Sequence, residues 1–481
     1  DGGDAKDFDD AVFAEPTQDG GWRLVIAIAD VSHYVCEDSV IDVEAKKRGN
    51  TVYLPGRVLP MLPENLSNDL CSLKPHQERA CLAVEIYLDA AGNKTKHRFI
   101  RGIMKSIGRL TYDNVQSVYE GIFDERQLSL PNGTLHHLFA VYKCRKEISR
   151  KRGTLELLLS ERSIKFSTEM FPIDIEIHQQ KPANELIEEF MVLANICAAE
   201  TLEEKQKTCV YRVHEPPSPA KLAELVSFAD EMDIKLPDSI YFTPQQFNLL
   251  LKKWEENHPN NDLLQNAILR CQSRANYSTE NIGHYGLGLQ RYTHFTSPIR
   301  RYSDLLVHRA LITACNLGSN GMAKESKELI SETCRHISET EQVSAKAERC
   351  AVNRMANIVL SSLLGTEQEA IINGVTVSGL FVSIVSGQAE GFISRKSLPD
   401  DFYILDHKKT QLVGRHTGWK FRIGDVLRAV VAEISVVSGN ISLSWMTGGS
   451  IDSSTVKKKN NKVPNRKNSI LKKKNAKRRK G

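Results

Sequence analysis

No stretch of this chain approaches eighteen consecutive apolar residues, so hydropathy offers no membrane-spanning helix. Its ten cysteines are scattered and contain no CxxC pair, so a zinc site is not expected. Several sit in apolar helical patterns and read as small core residues, and reduced thiols in a cytoplasmic protein are the simplest account of the set. Acid is missing from one region: Lys457 to Lys480 holds thirteen Lys or Arg and no Asp or Glu. Setting those thirteen aside turns a net charge of +5 into 51 basic against 59 acidic residues, or −8. The body is therefore mildly acidic, and the tail attracts polyanions, of which nucleic acid is the commonest. A plain solvated, disordered terminus is the equal alternative. The first residue is Asp rather than Met, and the chain reads as a fragment.

What is present in excess is aspartate. Asp1, Asp4, Asp7, Asp9 and Asp10 fall within the first ten residues, in DGGDAKDFDDAV. Carboxylates this close repel one another and stay ionised together only around something positive. Mg²⁺ prefers such hard oxygen ligands and keeps several waters. A pair of such ions can activate water and stabilise a leaving oxygen in phosphoryl transfer. An Asp-rich turn can also bind calcium structurally. Here the calcium loop's final Glu is missing, since Val12 stands at that position.

The length of 481 residues implies two or three domains. GGWRLVIAIADV, 20–31, reads as a buried strand, and 79–99 as a hairpin turning near Gly92 and Asn93. PMLPENLSNDLCSLKP, 60–75, reads as a loop that packs on something. Leu186 to Leu202 has apolar residues three and four apart, a helix. A second helix is expected over 298–316, with Ser297 as N-cap and Pro298 at its first position. A third long helical pattern covers about 323–364. From 367 to 446, short β-rich runs punctuated by glycine suggest an OB-fold barrel.

The expected fold class is α+β: a large domain over 1–365, a small all-β OB-fold barrel over 366–448, and a disordered Lys/Arg-rich tail over 449–481. The barrel's Phe381 and Phe392 lie among basic residues, a mix suited to single-stranded RNA.

The segment HFTSPIRRYSDL puts Arg300 and Arg301 in the expected first helical turn. Cations sit poorly at that positive end, whereas an anion sits well. A bound phosphate joins the two arginines comfortably. The plainer alternative is an ion pair from Arg300 to Asp304.

Six segments occur in an order that resembles the RNB family of exoribonucleases: DGGDAKDFDDA, IADVSHYV, RGNTVYLPGRVLPMLPENLSNDLCSL, LIEEFMVLAN, VYRVHEPP and HFTSPIRRYSDL. The resemblance runs from residue 1 to about 362, and the barrel and basic tail that follow are in the family's order. Among its members the tail looks closest to ribonuclease R, without the cold-shock-like domains that usually precede the catalytic domain. The resemblance implies a processive 3′→5′ exoribonuclease. It would hydrolyse single-stranded RNA, or structured RNA with a 3′ overhang, to 5′-nucleoside monophosphates. It implies one or two Mg²⁺ ions, with Mn²⁺ as a substitute, on Asp1, Asp7, Asp9 and Asp10. Asp9 is the aspartate expected to be most sensitive to substitution, and Arg300 falls on the catalytic arginine. Tyr53, Tyr112, Glu188, Arg301 and Glu348 fall on RNA-gripping positions. The partners implied are RNA 3′ ends and no membrane, for a cytoplasmic monomer. Where the family stacks a phenylalanine on the last base, this chain has Leu157, with Phe166 nearby. A catalytically silent RNA-binding or remodelling protein is the competing reading.

Overall fold

Two strands after the aspartates, β1 (Asp10–Pro16) and β2 (Trp22–Ala29), open an antiparallel sheet. The computed structural model describes residues 2–451 except 4, 129, 158–160, 233, 235, 237–240, 258–262, 324–325, 386–387 and 407–409. Asp1 and the stretch 452–481, most of the expected tail, lie outside the described residues. The chain divides near Gly365 into two compact units.

In the first unit, helix α1 (Val40–Arg48) leads to a short hairpin of β3 (Val52–Leu54) and β4 (Arg57–Leu59). The long hairpin of β5 (Glu78–Leu88) and β6 (Lys94–Lys105) completes the sheet in the order β1-β2-β5-β6. β2 lies inside that order, and its Leu24, Ile26 and Ile28 are fully buried. At roughly 1.5–3 kcal/mol for each such side chain, this apolar strand anchors the domain. Helices α2 (Tyr112–Tyr119) and α3 (Thr134–Arg152) precede the hairpin of β7 (Glu161–Phe166) and β8 (Pro172–His178). Helix α4 (Pro182–Glu204) follows, then β9 (Tyr211–Val213) and α5 to α7 (Pro219–Glu231, Pro244–Asn257, Leu263–Cys271). β10 (Asn276–Ser278), α8 (Tyr302–Ala314) and α9 (Lys327–Val359) complete the unit.

Helix α8 buries every residue from Tyr302 to Ile312, so it is a fixed internal strut. It begins four residues later than the Ser-Pro signal predicts. Residues 298–300 form a turn, and Arg301 is extended, at φ −134° and ψ 126°. Tertiary hydrogen bonds hold this stretch out of the helix. Thr51 N donates to Arg300 O (3.0 Å), Tyr302 N donates to Gly49 O (3.0 Å), and Asn50 bridges Arg301. The helix instead starts under Asp304, whose carboxylate accepts Ser297 N at 2.8 Å.

The second unit is a closed barrel in the order β11-β12-β13-β18-β17. Its strands are β11 (Glu367–Thr376), β12 (Gly379–Ile384) and β13 (Ala389–Ser394), then β14 (Tyr403–Leu405), β15 (Gln411–Gly414) and β16 (Trp419–Arg422) in a second small sheet. β17 (Val426–Ser435) and β18 (Asn440–Gly448) close the barrel. Alternate residues such as Ala370 with Ile372 and Leu380 with Val382 point inward and are buried. Gly379 is required at its corner, because a Cβ there would lie 2.1 Å from Ile393 O. Pairing continues past the expected boundary at 448: β19 (Ser450–Ile451) joins β16.

Candidate active site

The aspartate segment is held by its backbone, which leaves its carboxylates free for other work. Phe8 N donates to Ser72 Oγ (3.0 Å), and Ser72 Oγ donates to Lys6 O (2.7 Å). Leu73 N reaches Phe8 O at 2.9 Å, and Ala29 N reaches Asp9 O at 2.8 Å. The 60–75 segment is thus the brace that its composition implied. Pro63 O accepts from Leu66 N and Ser67 N, a five-residue π turn follows, and Cys71 to Leu73 are buried.

Asp7, Asp9 and Asp10 line one cavity of about 440 Å³. Tyr53, Tyr112, Glu188, Arg300 and Arg301 line it as well. Asp9 is 5% exposed. One of its oxygens accepts Ile299 N at 3.0 Å, and the other lies 3.7 Å from Arg300 Nε. Burial pushes the Asp9 carboxyl up to about 8, against the pull of Arg300. Burial raises Asp10 as well. The described protein therefore supplies too little positive charge for these carboxylates, and that shortage fits a hard divalent cation with oxygen ligands.

Among the described residues, the one trio of ligand atoms lying within 4.8 Å of each other is elsewhere, at His97, Cys197 and Glu200. There the Lys94 ammonium pairs with Glu200 and lies 3.4 Å from His97 Nδ1, so a cation is built in. The aspartates are spaced more widely, which leaves room for water between carboxylate and ion.

The two arginines are not alike. Arg301 Nε and Nη2 grip both oxygens of the buried Asp304, at 2.9 and 2.8 Å. The expected ion pair to Asp304 therefore belongs to Arg301, and Arg301 is a brace as much as a lining residue. Arg300 donates to Ser297 Oγ (3.0 Å) and remains partly exposed to the cavity.

Tyr53 stands on the β3–β4 hairpin, 42% exposed, with its hydroxyl 3.3 Å from Asp7 Oδ2. Burial, then Asp7, raises its hydroxyl above the usual range. Glu348 is absent from the cavity wall. Its Oε1 accepts Tyr53 N at 2.7 Å, so α9 fixes the hairpin that presents the ring. Gly56 closes that hairpin at φ +74°, and a Cβ there would meet Met170 Cε at 2.8 Å and Phe166 at 3.4 Å. Phe166 therefore packs beside the hairpin, and neither it nor Leu157 lines the cavity. Tyr112 opens α2 behind the N-cap Thr111, whose side chain accepts Asn114 N. Glu188 projects from α4 and receives Gln180 Nε2, and burial raises its carboxyl.

Sequence reasoning missed the apolar wall, made by Ile187, Met191, Val192 and Leu287. It also missed Asn195, Tyr292 and His294. The available signal was the density of Tyr and His in HYGLGLQRYTHF, just ahead of the arginine turn.

The RNB domain family matches residues 1–316 of this chain. The chain belongs to the RNB family. The S1 RNA binding domain family matches 364–445, behind the RNB domain. Ribonuclease R of Vibrio parahaemolyticus is 36% identical over 449 residues, which cover 91% of this chain and 53% of that relative. Ribonuclease R of Escherichia coli is 36% identical over 456 residues, 93% of this chain and 56% of that relative. The chain thus spans about half the length of these curated relatives. A solved structure of Mycoplasma genitalium RNase R, in complex with ribose methylated single-stranded RNA, superposes with a TM-score of 0.86 at 32% identity. It covers 93% of this chain and 70% of that one. Among the described residues, no helix is long and apolar enough to cross a membrane.

In the S1 barrel, Phe381 is 48% exposed and its ring lies 5.1 Å from that of Phe392. Arg395 N donates to Ser378 O at 2.9 Å, which brings the basic pair Arg395–Lys396 to the same corner.

Proposed function

We propose that this chain carries a processive 3′→5′ exoribonuclease site, which hydrolyses single-stranded RNA to 5′-nucleoside monophosphates with Mg²⁺. One observation carries the reading: the buried Asp9 carboxylate, short of positive charge, faces Arg300 at 3.7 Å in a cavity shared with Tyr53, Tyr112 and Glu188. Related RNase R chains, whose structures are described as complexes with single-stranded and double-stranded RNA, support RNA as the substrate.

In this reading Asp7, Asp9 and Asp10, with Asp1, hold one or two Mg²⁺ ions, or Mn²⁺ in their place. When bound, such an ion lowers the pKa of water and stabilises charge on phosphate oxygens. Arg300 donates to a non-bridging oxygen of the scissile phosphate, where charge grows during attack. Ser297 Oγ holds that guanidinium beside Asp9. The Tyr53 ring stacks on a base near the 3′ end, and Tyr112 closes the cavity from the α2 side. The Glu188 carboxylate accepts the terminal ribose hydroxyl, a group that DNA lacks. The Phe381–Phe392 corner of the S1 domain grips single-stranded RNA by stacking, and the basic tail adds affinity that falls with salt.

The test is a 5′-labelled single-stranded RNA incubated with the chain in Mg²⁺ or in EDTA. The expected result is a ladder that shortens to very small products in Mg²⁺ and stays intact in EDTA. RNA that is retarded on a gel yet never shortened sinks the hydrolytic reading in favour of a silent binding protein. Mid-sized fragments indicate an endonuclease instead.

The Tyr53 hairpin gives a second expected outcome. Tyr53→Ala removes a stacked base contact of roughly 1–3 kcal/mol, so KM rises roughly 5- to 150-fold. Glu348→Ala frees the same hairpin without touching RNA, so KM rises by about fivefold while kcat changes less, in steady-state hydrolysis of a short oligonucleotide. Equal losses in kcat for both variants would place Glu348 among groups that contact the substrate.

A further inference from the structure

His294 lines the cavity that holds Asp9 and Arg300, yet no step above uses it. Its ring is held on several sides. Tyr277 Oη lies 2.8 Å from its Nδ1. The rings of Tyr277 and Tyr292 stand edge-on to it, with centroids 5.6 Å away in both cases. Those two tyrosines are themselves fixed. Tyr277 N donates to Ser338 Oγ (2.9 Å), and the Arg212 guanidinium sits 4.7 Å from its ring centroid. Asn195 Nδ2 donates to Tyr292 Oη (3.0 Å), while Asn195 Oδ1 accepts Phe295 N (2.7 Å). A buried asparagine thus clamps both neighbours of the 293–294 stretch. Among the described residues nothing hydrogen-bonds to His294 Nε2, although this much structure is spent on orienting the ring.

The surroundings decide the form of that imidazole. Burial, followed by the charges of Arg301, Arg212, His284 and Arg300, holds its pKa well below the ordinary value. The ring is neutral at working pH, with one nitrogen a donor and the other an acceptor. Among the described residues Tyr277 Oη has His294 Nδ1 as its hydrogen-bond partner; with the phenol donating there, the imidazole proton sits on Nε2. A neutral N–H beside two arginines suits an anionic oxygen, and a neutral donor spends none of the charge the aspartates need.

We propose that His294 is a phosphate-positioning residue, whose Nε2–H donates to a phosphate oxygen of the RNA strand beside the one held by Arg300. The proposal rests on the exoribonuclease reading above. His294 takes up no proton in the reaction. Its part is to fix the strand so that the terminal linkage lies against Asp9 and Arg300.

The experiment compares the wild-type chain with His294→Ala and His294→Gln, in Mg²⁺ on a short single-stranded RNA. A hydrogen bond to a charged oxygen predicts that kcat/KM falls roughly 10- to 100-fold in His294→Ala. Glutamine places an amide N–H near the Nε2 position, so His294→Gln recovers most of that loss. The pH profile keeps its shape in both variants, because a neutral donor adds no titration of its own. Tyr277→Phe, which frees the ring without removing it, falls between wild type and His294→Ala. The proposal is overturned if His294→Ala matches wild type, or if the alanine and glutamine variants lose equally with unfolding midpoints unchanged. It is also overturned if an alkaline or acid limb of the pH profile disappears with the imidazole, since that marks a proton-transfer role. A wild-type chain that fails to hydrolyse RNA overturns the function reading instead. In that case phosphate positioning is read from RNA affinity, which must weaken in His294→Ala and return in His294→Gln.

Discussion

Replacing Asp9 by Asn is expected to cut RNA hydrolysis by at least about 10³-fold while stabilising the metal-free protein. Both effects follow from one group. Asp9 is buried, and its proton is held up to about 8. In an unfolded chain the same carboxyl gives up its proton near 4. Between those two pH values the folded, metal-free protein binds more proton than the unfolded one. Its stability therefore falls as pH rises through that window. Asparagine has no proton to lose and can still accept Ile299 N through its Oδ1. In EDTA the Asn variant should therefore match wild type near pH 4 and exceed it above pH 8, by on the order of 1 kcal/mol or more. Adding Mg²⁺ should reverse the order at high pH, because an ionised Asp9 binds the ion and the amide binds it poorly. Thermal melts at three pH values, with EDTA and with Mg²⁺, measure this beside the RNA assay. A variant less stable than wild type at pH 8.5 in EDTA would show instead that the Asp9–Arg300 pair holds the fold together.

The sequence made some of this legible and hid the rest for physical reasons. β2, the β5–β6 hairpin, α4 and α9 form where their patterns place them; β2 and β5 bury continuous runs, while α4 and α9 bury one face that includes a few polar residues. The barrel was readable from glycine-punctuated short strands. The start of α8 was not. Ser297 and Pro298 are a sound local signal, but backbone bonds from Gly49 to Thr51 and the Asp304 carboxylate outweigh it. Gly49 to Thr51 are some 250 residues away in sequence, beyond any local rule. In the site, Asp7, Asp9, Asp10, Tyr53, Tyr112, Glu188 and Arg300 all reach one cavity, as their motifs implied. Glu348 does not reach it, and its bond to Tyr53 N spans 295 residues. The apolar wall and His294 lie within or beside the quoted motifs, but nothing local in the sequence says that these particular side chains face the cavity.

The neighbouring arginines should separate cleanly on substitution, and the contrast tests how the turn works. Arg300→Ala removes a guanidinium that faces the cavity and pairs with Asp9 only at 3.7 Å. Its cost should fall on kcat, roughly 10²–10³-fold, with the unfolding midpoint within a degree or two of wild type. Arg301→Ala leaves the fully buried Asp304 carboxylate without its two guanidinium donors. Breaking a buried pair from one side costs roughly 3–5 kcal/mol, so the midpoint should fall by many degrees. Activity should fall with it, because Asp304 also accepts Ser297 N, and Ser297 Oγ holds Arg300. Asp304→Asn should resemble Arg301→Ala in stability, and combining the two should cost less than their sum, since each already breaks the same pair. Activity measured well below the midpoint of each variant separates the two roles. If Arg301→Ala keeps wild-type stability yet loses RNA affinity, the arginine turn is a two-pronged phosphate clamp, and Asp304 is only a dispensable partner.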